Sequence, residues 1–377
     1  MNSDIIFLLI ELNFYNYVGG KFHVKKFIFA LFTALLAISL CTSGIFAAEG
    51  DSSAWKFDKP INIVCPWGEG GGADSTLRAL AAALKESSGI DVHVVNFTGN
   101  GGANGAAYTR SQAADGYTFM LGTQSLFIMD IQGGMQFKFK DEFVPVARLV
   151  NAINVIAASR KTMEERGYNN FSELREFVKS HPASITVGML TSTGVDGISL
   201  RQAIEGLTLL EVNYPTGAGM NAALKDGQID LMMTGTDEIA DLIAAGDVTP
   251  LLVLSEKRMS RYPNVESAGE LGIKSFLGPE RGIFAKKGTP SEAIAALEKA
   301  IEDATKTQTW QAFLENGSYN ERPGFANTAE YQKIMDDEYK TFTEMLKPKT
   351  PAKKAAAPST KLAVIGFVMV LILIICL

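Results

Sequence analysis

The chain has 377 residues and a formal net charge of −6, enough for two domains of ordinary size with appendages. The acidic balance, with no basic stripe interleaved with aromatics, argues against a nucleic-acid partner; an anion must be held here by local dipoles and a few cations. Of three cysteines only Cys65 lies in the folded body, so no internal disulfide is expected there, and His23, His93 and His181 are not spaced like metal ligands. No cofactor or metal is expected.

Residues 25–48 carry the charged, apolar and small-residue regions of a secretory signal peptide, with cleavage expected near Ala47 or Ala48. Residues 1–23 form an unusual extension ahead of it, and translation is expected to begin near Val24. From Trp55 the pattern alternates strand and helix. A strand at 61–66 leads through the glycine-rich segment 68–74 into a helix over 74–85, where Asp74, Ser75 and Thr76 are residues that cap helices. Strands follow at 91–96 and 117–122 around a helix at 103–113, then apolar runs at 143–150 and 154–158. This βαβ grammar predicts a parallel sheet covered on both faces. Ligands of such sheets sit beyond the carboxyl ends of the strands. Segments 68–74, 98–105 and 122–125 fall there, and Trp67 at the first strand exit is a candidate pocket wall.

A second alternation begins near Arg160. A helix over 171–179 opens on Asn170 as N-cap with Glu173 three residues on. Strands at 184–190, 209–213 and 229–233 each end in small polar residues: Thr191, Ser192 and Thr193; Thr216 and Gly217; Thr234. Each is followed by a helix, and a strand at 250–254 comes next. Two such units facing each other make a cleft. A short strand at 283–285 precedes a helix whose start, Thr289 to Glu292, reads as a capping box with Pro290 at the first helical position. Helices at 307–315 and 328–346 follow.

Residues 347–361, rich in Pro, Ala and Lys, read as a disordered linker. Residues 362–377 are wholly apolar; as a helix they reach about 24 Å, short of the ~30 Å hydrocarbon core. A membrane tether and part of a fused transporter subunit are the two readings of this tail.

Gly68-x-Gly70-x-x-Ala73 between strand and helix also fits the dinucleotide fingerprint, which keeps an NAD-dependent oxidoreductase open as an alternative. Against it, Asp91 starts the second strand instead of ending it, and Glu69 would face a pyrophosphate with negative charge. There is no Gly-Lys-Ser/Thr phosphate loop, no Gly-x-Ser-x-Gly elbow and no His-Glu-x-x-His, so catalysis is not expected.

The segment Pro66-Trp-Gly-Glu-Gly-Gly-Gly-Ala-Asp74 looks like the Pro-Phe-Pro-Ala-Gly-Gly-Gly-Thr-Asp loop of the periplasmic substrate-binding proteins of tripartite tricarboxylate transporters, the Bug family. The likeness continues through 99–105, 115–118 with 121–123, and 143–146, then Tyr214 with Gly217, 227–232, 255–258 and 288–290, in order from Trp55 to Leu346. The resemblance implies an α/β fold of two lobes joined by crossing strands, a Venus flytrap, with lobe 1 at 55–157 and 276–346 and lobe 2 at 158–275. It implies an exported receptor, in the periplasm or on the outer face of the membrane, that closes on a small carboxylate and delivers it to membrane subunits of a transporter. A signalling protein as partner is a further alternative. By resemblance the carboxylate lies against Gly70, Gly71, Gly72, Ala73 and Asp74 and near Gly101, Gly102 and Asn104. Thr123 and Ser125 add hydroxyls, and Thr191, Ser192, Thr193, Thr216, Gly217 and Thr234 face them. Gly68, Glu69 and Ala73 depart from the family loop, and Thr234 stands where an acidic residue is common. With Glu69 and Asp74 near the loop, a mono- or dicarboxylate is expected over citrate.

Overall fold

The computed structural model describes residues 55–347. The expected extension, signal peptide and apolar tail, and the linker after Lys347, lie outside the described residues, and with them both readings of the tail. Among the described residues no helix is long and apolar enough to cross a membrane.

The strands are β1 (Ile61–Cys65), β2 (Val92–Asn96), β3 (Thr118–Gly122), β4 (Phe143–Asn151), β5 (Asn154–Ser159), β6 (Thr186–Met189), β7 (Leu210–Asn213), β8 (Leu231–Gly235), β9 (Val248–Val253), β10 (Glu266–Ser267) and β11 (Glu280–Lys286). The helices are α1 (Gly72–Ser88), α2 (Ala103–Ser111), α3 (Gln124–Ile131), α4 (Phe139–Glu142), α5 (Arg160–Arg166), α6 (Phe171–Ser180), α7 (Val195–Ala203), α8 (Gly217–Lys225), α9 (Ala240–Ala245), α10 (Ser291–Ala304), α11 (Gln308–Asn316) and α12 (Thr328–Met345).

Two sheets result, in the orders β2-β1-β3-β11-β4 and β10-β9-β5-β8-β6-β7. Successive side chains of a strand leave opposite faces, and the cores follow that rule. In the first sheet Ile61, Ile63, Phe119, Leu121 and Ile283 pack on one side with Leu77, Leu80 and Leu297, while Val64, Met120 and Phe284 pack on the other with Phe127, Phe139 and Tyr331. In the second, Ile156, Leu231, Met233 and Leu252 oppose Val155, Met232 and Val253. Both faces being covered explains the near-continuous apolar strands.

The expectation of parallel sheets needs one correction in each. β11 runs antiparallel to β3 and β4, and β5 runs antiparallel to β8 and β9. Each of these strands arrives from the other sheet and not through a crossover helix, so nothing reverses the chain before it pairs. β5 follows β4 after only Ala152 and Ile153. Asn154–Ala157, placed in the first lobe by the sequence reading, therefore pair within the second sheet.

Three local expectations also shift. α1 starts at Gly72, not Asp74, with extended Gly71 as its N-cap. α10 starts at Ser291 with Pro290 as N-cap and no side-chain cap, so Glu292 is one position too early for a capping box. The box forms instead at α12, between Asn327 and Glu330. α3, α4 and α5 have no counterpart in the sequence reading, whereas Asn170 caps α6 as expected, accepting from the Glu173 N–H.

Candidate functional site

A cleft of about 670 Å³, part of it open to solvent, lies between the two sheets. Its lining takes in the start of α1 (Gly71, Gly72, Ala73), of α3 (Thr123, Ser125), of α7 (Val195, Asp196) and of α8 (Thr216, Gly217). Four helix N-termini, two following strands of each sheet, therefore meet in one space. First-turn N–H groups lack intrahelical acceptors and carry the positive end of the dipole, so the cleft favours an anion. The hydroxyls divide their work. Thr123 Oγ1 accepts from the Ser125 N–H at 3.3 Å and Thr216 Oγ1 from the Gly219 N–H at 3.2 Å. Ser125 Oγ accepts from the Val195 N–H at 3.4 Å, a contact between the two halves.

Trp67, Gly71, Gly72, Ala73, Thr123, Ser125, Thr191, Thr216 and Gly217 line the cleft. The remaining sequence-derived positions sit behind or beside it. Asp74 is buried, accepting from the Gly70 N–H, from Arg78 Nε at 2.8 Å and from Asn96 Nδ2 at 3.0 Å. Burial raises the Asp74 pKa, but these donors outweigh it and hold the carboxyl below its usual range. It props the loop and offers no free charge to a ligand. Gly101 and Gly102 adopt positive φ in the turn before α2, and Gly102 lies so close that a Cβ there would come within 3.2 Å of the Trp67 ring. They shape the rear of the Trp67 wall. Asn104 is exposed and donates to Thr98 O, Ser192 pairs with Asn213, and Thr193 meets Thr191 at 3.1 Å. Thr234 is buried and donates to Glu238 Oε2 at 2.9 Å, one step from the cleft.

Sequence reasoning missed the charged part of the site. Arg281 on β11, Glu238 in the turn after β8, and Asp196 on α7 all line the cleft. The Arg281 side chain is 2% exposed. Its Nη1 donates to Asp237 Oδ2 at 3.0 Å and to Tyr319 OH at 2.6 Å; its Nη2 donates to Glu238 Oε1 at 2.8 Å. Burial would lower the guanidinium pKa, but Asp237, Tyr319 and Glu238 override it and hold the proton more firmly still. Burial, with Asp237 adding, pushes the Glu238 carboxyl up. Asp196 accepts from Asn154 Nδ2 at 3.1 Å, and burial, reinforced by Glu238, pushes it up to about 7. Gly72 is required by this packing: a Cβ there would collide with Arg281 Nη2 and Glu238 Oε1.

The model of the tripartite tricarboxylate transporter family receptor matches residues 76–350. The chain belongs to that family. The resemblance drawn from the segments between Trp55 and Leu346 is borne out. The receptor is similar to BugT of Bordetella pertussis, 26% identical over 293 residues, covering 76% of this chain and 88% of BugT. Its fold is that of the periplasmic binding protein BugD, with TM-score 0.67 and 25% identity, covering 77% of this chain and 97% of BugD. MatC of Rhodopseudomonas palustris, solved with bound malate, has the same fold at TM-score 0.67 and 21% identity, covering 76% and 98% of the two chains. Among the described residues no group of His, Cys, Asp and Glu is placed to hold a metal ion.

Proposed function

We propose that the receptor works outside the cytoplasm, capturing a small carboxylate between its two sheets and presenting it to the membrane subunits of a tripartite transporter. The observation that carries this reading is the meeting of four helix N-termini in one cleft. The family match and the malate held by MatC support it. The mechanism is closure of two lobes. Each half brings two N-termini, so only the closed form offers a ligand all four, and binding shifts the population toward it. Ser125 with Val195, Gly68 near Thr216, and Arg281 with Asp237 and Glu238 are the contacts that closure makes. The ligand leaves unchanged on this reading: the Thr123 and Thr216 hydroxyls at the cleft are engaged by backbone N–H groups of their own helices. The NAD-dependent alternative is disfavoured by the same geometry: Glu238 occupies the space in front of Gly72 that a pyrophosphate would need.

Thermal unfolding of the purified full chain against malate, succinate, citrate and NAD tests this. A carboxylate is expected to raise Tm with the logarithm of its concentration once that exceeds Kd. A shift with NAD and with no acid would replace the receptor reading by the enzyme one.

A further inference from the structure

The described residues that line the cleft include one cation, Arg281, and two carboxylates, Asp196 and Glu238. Asp237, Tyr319 and Glu238 take three of the five N–H groups of Arg281, and its single positive charge stands among three carboxylates, Asp196, Asp237 and Glu238. Asp237 Oδ1 is buried with no hydrogen-bond partner, so this corner carries more acceptors than the protein satisfies. Glu238 also stands in front of Gly72 and lies 3.8 Å from where a Gly217 Cβ would be, so its carboxylate lies close to the starts of α1 and α8. A ligand made only of carboxylates would add negative charge to this corner and find the facing cation engaged.

We propose that the ligand carries a protonated nitrogen as well as a carboxylate, and that Asp196 and Glu238 select for it. This rests on the carboxylate-receptor reading and narrows it to an amino-acid-like zwitterion. The carboxylate takes the N-termini of α3 and α7 with the hydroxyls of Thr123, Ser125 and Thr191, and the ammonium faces Asp196 and Glu238. The groups around Asp196 fit: Glu238 and Asp237 from the turn after β8 are acidic, Asn154 on β5 donates one hydrogen bond, and Arg281 on β11 is paired elsewhere. Burial holds the Asp196 carboxyl near 7, and an ammonium beside it would stabilise its ionised form.

Calorimetric titration of the full chain with matched acids that differ by one amino group is the test: succinate against aspartate, and butanoate against 4-aminobutanoate. The amino member is expected to bind about tenfold tighter or better. Asp196→Asn is expected to shrink that preference to about threefold or less, by raising the affinity for the plain acid as well as lowering that for its partner. Should the variant fail to fold, the wild-type pH profile decides. Between about pH 8 and 5.5 the amino member is expected to weaken as Asp196 takes up its proton, while the plain acid strengthens. Plain acids binding as tightly as their amino partners, or both profiles running in parallel, would overturn this proposal and leave the receptor reading intact. Binding by neither member of either pair would also overturn it, and the receptor reading would then stand or fall on the thermal shift with malate and citrate.

Discussion

Glu280 and Arg281 are neighbours on β11, yet they enter two different buried charge clusters, because successive strand residues leave opposite faces. Arg281 reaches across to Asp237 and Glu238, which follow a strand of the other sheet. Glu280 stays within its own half. It accepts from Arg148 Nη1 on β4 at 2.7 Å, and Arg148 Nε and Nη2 also donate to Gly324 O and Pro323 O. Gln124 completes that cluster, accepting from the Glu280 N–H and donating to Glu338 Oε1 on α12. Both clusters incur the cost of desolvating charge, and buried pairs seldom add net stability. Their difference is one of span. The inner cluster fixes α12 and the start of α3 to one sheet whatever the other half does. The outer one joins residues of the two sheets, so under the proposed lobe closure it would couple the cleft to the separation of the halves.

The sharpest way to break the comparison is to remove each hub in turn. Arg281→Met leaves Asp237 and Glu238 buried without their cation, and about 3–5 kcal/mol is expected to be lost in urea unfolding. The loss is expected to be smaller at pH 5 than at pH 8, because Glu238, already pushed above its usual range, can take up a proton. Glu280→Gln is expected to cost less, about 1–3 kcal/mol, because Arg148 keeps two carbonyl acceptors. Equal losses from the two would show that span makes no difference.

Gly72 sharpens the same point from the loop side. It lies in the first turn of α1 with ordinary helical backbone, so alanine there meets no conformational penalty. The obstacle is the guanidinium and carboxylate pressed against its Cα, and both are held by several bonds and cannot swing aside. Gly72→Ala is expected to cost about 1–3 kcal/mol and to weaken carboxylate binding. Gly71→Ala, whose Cβ would stand 3.6 Å from Gly68 O, is the tolerated control. If the two variants unfold at the same urea concentration, the packing account of Gly72 is wrong.

The sequence reading reached the polar loops and not the charges for a physical reason. Loops at the carboxyl ends of strands follow from chain order alone, so Gly71, Thr123, Ser125, Thr191 and Thr216 could be named before any tertiary contact was known. Arg281 and Glu280 stand mid-chain beside Gly278, Pro279 and Gly282, where charge reads as a solvated turn. Only Asp237 and Glu238, more than forty residues away, give Arg281 buried partners, and only Arg148, 132 residues away, does so for the Glu280 side chain. The apolar run 283–285 was visible, and its two charged neighbours were cut from it. Asp74 was misjudged for the converse reason. Its place in a glycine loop suggests a ligand contact, but Arg78 one turn on and Asn96 on β2 claim the carboxylate first. The helix after Thr123 was missed because α3 is short and mostly apolar, with no polar face to mark a helical period.

The smallest expected effect concerns the inner cluster and its proton. Glu280 Oε1 and Glu338 Oε2 are both buried with no hydrogen-bond partner, and Tyr331 OH near them is buried and unpaired as well. Burial pushes the Glu338 carboxyl well above its usual 4.5, and the charge of Glu280 adds to the shift. A raised folded-state pKa means that the native state holds a proton that the unfolded chain releases sooner. The stability linked to that proton is therefore complete below the unfolded value of 4.5 and drains away as pH rises through the folded one. Glu338→Gln keeps the shape and carries no titrating proton. It is expected to leave Tm nearly unchanged at pH 5 and to raise it by about 2 °C at pH 8, with Tm read by circular dichroism. Arg281 lies on the other face of β11, and Gln124 at the start of α3 keeps its bonds to Gly278 O and the Glu280 N–H, so carboxylate affinity at a fixed pH is expected to stay within about twofold of wild type. A Glu338→Gln chain that gained nothing at pH 8, or that lost ligand affinity, would show that the two faces of this strand are not the separate systems their hydrogen bonds describe.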